Sequence, residues 1–241
     1  MMTNNSILGG TRAEIDSGSL SRTFVAGVFS WMAIALAITA FVAYYFAATP
    51  SLIMSLYNPE GGMTIRGWVV MLSPLGFVFA MSAGFQRFSS GTLTLLFGAF
   101  AVLMGMSLSF IFIAYTSASI FQTFVVTAGM FGVMAVVGYT TKTDLTKFGS
   151  IMMMGLIGII IASVVNMFMH SETFDYIISF LGVLIFTGLT AYDVQTLKRI
   201  GAGVEYGHEN TKKLTIMGAM RLYLDFINLF LFLLRFLGNR R

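Results

Sequence analysis

The chain has 241 residues, of which 57% are hydrophobic and only 10% charged, with a net charge of +4 and no cysteine. Soluble domains carry about 25% charged residues, so this composition excludes an ordinary water-soluble fold, and the lack of cysteine excludes disulfides and thiolate metal sites. A pI near 9.4 does not point to nucleic acid, because the cations are dispersed at the ends of apolar runs rather than gathered in a stripe interleaved with aromatics.

In chain order, residues 1–22 are polar and rich in Gly, Ser and Asn. They lack the basic start, short apolar core and small-residue cleavage site of a signal peptide, and read as a flexible polar tail. Residues 23–241 read as one polytopic membrane domain, with apolar stretches at 24–48, 68–86, 92–115, 118–140, 148–169, 174–197 and 215–237. Each approaches the ~20 residues that cross a ~30 Å hydrocarbon core as a helix. Period-two alternation, the mark of a membrane β-barrel, is missing. The Met-rich run Ile151–Met154 reads as helix packing rather than a thioether metal site. Trp68, Tyr115 and Tyr139 sit near helix ends as interfacial anchors. Asn166 reads as an interhelical hydrogen bond, and His170 and His208 as solvated loop residues.

Orientation follows from the basic residues. With the N-terminus inside, the inner segments collect Arg12, Arg22, Arg87, Lys142, Lys147, Lys198, Arg199, Lys212 and Lys213, while the outer loops collect Arg66. The tail runs against this bias: Arg235, Arg240 and Arg241 fall outside if the seventh segment crosses fully, and inside if it is re-entrant. Both readings remain open on sequence.

Two acids interrupt the apolar runs, Asp193 in the sixth span and Asp225 in the seventh. A carboxylate at mid-membrane costs roughly 2.5–3.5 kcal/mol on insertion scales, so such residues are usually paired and functional. Asp193 lies five residues before Lys198, about 7–8 Å of helix from the inner edge; Asp225, twelve residues after Lys213, lies roughly 12–18 Å in from the same side. Both therefore occupy the same half of the membrane, with Arg87 closing the second span on that side. Two carboxylates brought together in a low-dielectric site cannot both ionise cheaply, and they titrate as a unit. Oxygen ligands suit a hard ion such as Ca²⁺, which takes about 6–8 oxygens; Asp193, Asp225 and Asn228 supply some of these. A purely structural reading stands beside this one: Asp225 pairs with Arg221 one turn earlier, and Asp193 stays hydrated near Lys198. Walker-type phosphate loops, a serine-protease constellation, a retinal-bearing lysine in the last span and zinc-protease spacing are all missing from the sequence, so the expectation is a non-enzyme with no required cofactor.

Tyr192-Asp193 followed by Gln195, with basic residues just after, resembles the sixth-helix motif of the Bax inhibitor-1 family, also called the transmembrane Bax-inhibitor-motif family. Leu222-Tyr223-Leu224-Asp225-Phe226-Ile227-Asn228-Leu229-Phe230, running on to Leu234-Arg235, is similar to its final-helix signature. The resemblance covers roughly 24–237. It implies an all-α membrane protein, a seven-helix bundle with a central last helix. It also implies a pH-sensitive cation leak, chiefly of Ca²⁺, gated by a hydrogen-bonded aspartate pair. That pair falls on Asp193 and Asp225, the latch arginine on Arg87, and supporting positions on Tyr192, Tyr223, Asn228 and Arg221. The chain departs from some prokaryotic members in lacking an acidic residue in the second helix, around Gly76, and in a longer stretch between helices six and seven.

The expected function is thus a pH-sensitive Ca²⁺ leak in a bacterial inner membrane, with a cytoplasmic N-terminus and with lipid, Ca²⁺ and protons as partners. Two other classes stand beside it. One is a membrane interaction protein that modulates a membrane protease or other complex through the tail and the 198–214 loop. The other is a proton-coupled transporter, although no internal repeat supports it.

Overall fold

The computed structural model describes residues 4–58, 62–205 and 207–239, with side chains from residue 19 onward. The elements are α1 (Asn4–Ala48), α2 (Pro50–Leu56), β1 (Tyr57–Asn58), β2 (Gly62–Met63), α3 (Ile65–Gly84), α4 (Ser90–Leu108), α5 (Ile111–Ala114), α6 (Ser117–Thr140), α7 (Thr146–Met169), α8 (Glu172–Ala202) and α9 (Glu209–Leu237). Seven helical stretches are long and apolar enough to cross a membrane, the first being Ser19–Ala48 within α1 and the third Ser90–Ala114, which joins α4 and α5. They coincide with the seven apolar runs read from sequence.

Ser and Thr side chains start four of these helices. Thr64, Ser89, Thr116 and Ser171 accept hydrogen bonds from the amides of Gly67, Thr92, Ser119 and Phe174, satisfying donors that the first helical turn leaves unpaired. The turn between α7 and α8 is tight, with His170 in the left-handed conformation at φ 51°.

Burial orders the helices around α9. In the most apolar stretch of α9, 67% of residues are buried, against 56% in α8 and 11% in α7. α9 packs on α1, α4, α6 and α8, whereas α7 packs chiefly on α8 and is the most lipid-facing helix. Tyr223 marks the centre of the bundle. It is fully buried, its hydroxyl lies 2.7 Å from Thr39 Oγ1 of α1, and its ring meets the edges of Phe97 and Phe100 of α4. Gly138 of α6 permits the closest helix approach: a Cβ there would collide with the backbone of Ala191 in α8, the small-residue contact typical of membrane helices.

Three sequence expectations change. α8 runs on to Ala202 and α9 begins at Glu209, so the expected 198–214 loop shrinks to residues 203–208. The charged residues there extend both helices past the apolar core instead of breaking them. The last segment is not re-entrant. α9 is one helix whose end meets the start of α8 through Arg235–Asp175 (3.0 Å) and the start of α6 through the Asn239 amide and Ser119 Oγ (2.9 Å). Its beginning lies at the opposite end, where Glu209 accepts from the hydroxyl of Ser90. Arg240 and Arg241, and the side chain of Arg12, lie outside the described residues. Finally, α2 and the β1–β2 hairpin fall in a stretch read only as a loop.

Candidate aspartate site between α7, α8 and α9

α8 and α9 are antiparallel neighbours, and the contact between them buries both acids: Asp193 is 3% exposed and Asp225 6%. Both side chains face the same cavity. Arg221, one turn before Asp225 on α9, turns across to α8. Its Nε donates to Asp193 Oδ2 at 2.5 Å and its Nη2 makes an ion pair with Asp193 Oδ1 at 2.5 Å. The guanidinium also sits over the ring of Tyr192, 5.7 Å from its centroid. Asp193 Oδ1 and Asp225 Oδ2 are both buried with no hydrogen-bond partner among the described residues.

This arrangement replaces the helix-local pairing of Arg221 with Asp225. The side chain of Arg221 reaches a carboxylate on the neighbouring helix that presents both oxygens, and its donors are committed there. Lys198 does not approach Asp193 either; its ammonium donates to the carbonyl of Tyr139 at 2.7 Å.

Beside the pair, a cavity of about 480 Å³ opens between α7 and the α8–α9 contact. It forms because α7 leans on α8 and leaves α9 uncovered. Its polar lining comes from Asp193, Asp225, Arg221, Asn228 and Ser163. Among the described residues no three His, Cys, Asp or Glu side chains converge as a metal cluster.

Below the pair, a polar clasp holds α8 against the α6–α7 connection. Buried Gln195 accepts from the Leu145 amide (2.9 Å) and donates to the Thr143 carbonyl (2.8 Å). Arg199 donates to Asp144 at 2.6 Å. The hydroxyl and amide of Thr146 and the guanidinium of Arg199 hold the exposed Asp144 carboxyl well below the usual carboxylate range.

The sequence matches the family described as "Inhibitor of apoptosis-promoting Bax1" over residues 21–241. The chain belongs to the Bax inhibitor-1 family. It is 48% identical over 221 residues to "Inner membrane protein YbhL" of Escherichia coli K12, covering 91% of this chain and 93% of that protein. It is 45% identical over 222 residues to an uncharacterized protein of Borreliella burgdorferi, covering 92% and 94%. A match at 36% over 218 residues, covering 90% and 92%, is an uncharacterized membrane protein of Streptococcus pyogenes serotype M3.

The residues singled out by the Bax inhibitor-1 resemblance separate in space. Asp193, Asp225, Arg221, Tyr192 and Asn228 gather at the α8–α9 contact and its cavity. Tyr223 points to the other side of α9, into the core. Arg87 lies exposed in the turn after α3, with no side-chain ion pair among the described residues. The structure does not bring it to the acids; Arg221 is the cation that meets them. Asn166 caps the α7–α8 turn, accepting from the Ser171 amide at 3.1 Å, rather than bonding across helices. Ser163, Phe186 and Phe232, which also line the cavity, were not distinguished in the sequence. On α9, the four- and three-residue spacing from Arg221 through Asp225 and Asn228 to Phe232 is the signal that marks Phe232; no such spacing marks Ser163 of α7 or Phe186 of α8.

Proposed function

We propose that this integral membrane protein is a pH-sensitive cation leak, with Ca²⁺ as its principal ion, controlled by one proton shared between Asp193 and Asp225. The observation that carries this reading is a charge count: two adjacent buried carboxyls face one guanidinium. With one proton on the pair, Arg221 balances the remaining carboxylate and the site is neutral. Without that proton the site bears one net negative charge in a low-dielectric region, which a cation in the adjoining cavity offsets. Asp193, Asp225, the Asn228 side chain and water supply the hard oxygen ligands that Ca²⁺ favours. The ion is cargo, and the protonated pair is the closed state that joins α8 to α9. Arg221 takes the bracing role that the family resemblance assigned to Arg87.

The name of the Escherichia coli relative and the basic bias of the face bearing Arg22, Lys142, Lys198 and Lys213 support a bacterial inner membrane with that face cytoplasmic. Ca²⁺ efflux from proteoliposomes tests the function. Efflux from the wild type rises as pH increases through the proton loss, whereas Asp193→Asn and Asp225→Asn each give low efflux without pH dependence. Wild-type pH dependence in both variants overturns the proposal.

A further inference from the structure

Residues 221, 225, 228, 232 and 235 of α9 are spaced by four, three, four and three, so they share one helix face. That face carries Arg221, Asp225, Asn228 and Arg235, with Phe232 between Asn228 and Arg235 and with Leu224 beside it in the cavity lining. The antiparallel partner α8 sets Asp193 against one end of it and Asp175 against the other, and an ion pair closes each end: Arg221–Asp193 at 2.5 Å and Arg235–Asp175 at 3.0 Å.

Between the two ion pairs lies an aromatic block. The Phe232 ring stacks on Phe186 of α8, with centroids 5.8 Å apart and planes 27° apart. It is pressed against α8 where Gly182 has no side chain; a Cβ there would stand 2.5 Å from the Phe232 Cγ. Arg235 lies over the outer side of the same ring, 5.9 Å from its centroid.

A second cavity, of about 380 Å³, lies at this outer end, with Asn166, His170, Glu172, Asp175 and Arg235 in its lining. Ser163 of α7 lines both this cavity and the one beside the aspartates, while Phe186 and Phe232 line only the latter. The two cavities therefore adjoin at Ser163, the inner one carrying its polar groups on an otherwise apolar lining, and the Phe232–Phe186 stack stands between Asn228 and the outer ion pair.

We propose that the two chambers form one cation path along the polar face of α9, and that the Phe232 ring is its outer plug. The outer chamber is the entrance for a hydrated cation. An apolar constriction excludes water and so blocks an ion without binding it. The rim ion pair is a weaker barrier, since the Arg235 and Asp175 side chains are 40% and 29% exposed and remain hydrated. Rotation of one ring, or a small retreat of the loosely packed α7, would join the chambers. The path rests on reading the aspartates as an ion site, but the plug is tested without measuring ion flux.

The absence of cysteine from the chain makes single-cysteine accessibility a clean assay on the full-length protein in membrane vesicles. The probe is a membrane-impermeant, positively charged methanethiosulfonate, applied from the face that carries His170. Asn166→Cys in the outer chamber should label readily, and Asn228→Cys, beyond the plug, slowly. Adding Phe232→Ala should speed labelling of Asn228→Cys by at least about tenfold, because the apolar barrier is gone. Gly182→Ala, which displaces the ring without removing it, should act in the same direction. The proposal is overturned if Asn228→Cys reacts as fast as Asn166→Cys with the ring intact. It is equally overturned if Asn228→Cys stays slow in either second-site variant while Asn166→Cys in that variant still labels. Neither result depends on whether Asp193 and Asp225 control Ca²⁺ efflux.

Discussion

Arg221 bears the largest electrostatic load of any single residue in the site. It hydrogen-bonds and ion-pairs with Asp193, whose side chain is 4% exposed, while keeping 40% of its own side chain accessible. Removing one partner of a buried ion pair costs about 3–5 kcal/mol, and the accessibility of Arg221 places it near the lower bound, about 3 kcal/mol for Arg221→Gln. Thermal unfolding in detergent checks this. The double variant Arg221→Gln/Asp193→Asn should lose less than the sum of the single losses, because the stranded carboxylate is gone as well. Additive losses would mean that the guanidinium and the carboxylate do not act together.

At the scale of elements, α8 is held by three different contacts: the ion pair and acid pair with α9, the close approach of α6 at Gly138, and the polar clasp at its inner end. The clasp makes a separate prediction about pH. Asp144 has its folded value lowered by Thr146 and Arg199, so its contribution to stability is present above the unfolded value of about 4. That contribution is lost only as pH falls through the lower folded value. Between pH 5 and 8 Asp144 is ionised whether the protein is folded or not. Asp144→Asn should therefore leave the pH midpoint of Ca²⁺ efflux unmoved, and a shifted midpoint would assign the sensor to the clasp. The seven spans were legible in the sequence because each is an apolar run of membrane length. The ends of α8 and α9 were not, since Lys198, Arg199, Lys212 and Lys213 look like loop residues when they decorate helices that project past the membrane. Hydropathy and spacing also set Asp193 and Asp225 in the same half of the membrane. Depth does not determine which way a side chain faces around its helix, so Arg87 and Arg221 could not be ranked as partners until the packing of α8 on α9 was known.

Across the whole molecule, the central helix joins two faces of opposite character. Its first half carries the acids and Arg221 and its second half Phe232, stacked on Phe186, while its reverse side, through Tyr223, is anchored in the core formed with α1 and α4. The start of the first span meets the end of α8 through Ser21 and Lys198, and the end of α9 meets the start of α8, so the two lie at opposite ends of the bundle. A reporter active only in the cytoplasm should work at the N-terminus and fail at the C-terminus, with a periplasmic reporter showing the reverse; both termini on one side would contradict the topology. The central claim is that one proton on the Asp193–Asp225 pair sets conduction. Infrared difference spectra of proteoliposomes taken across pH, with Ca²⁺ efflux followed in the same vesicles, test it most directly. A protonated-carboxyl band should disappear over the pH interval in which efflux rises, and both changes should vanish in Asp193→Asn and Asp225→Asn. A band that survives both substitutions, or efflux that follows pH identically in all three proteins, would contradict it.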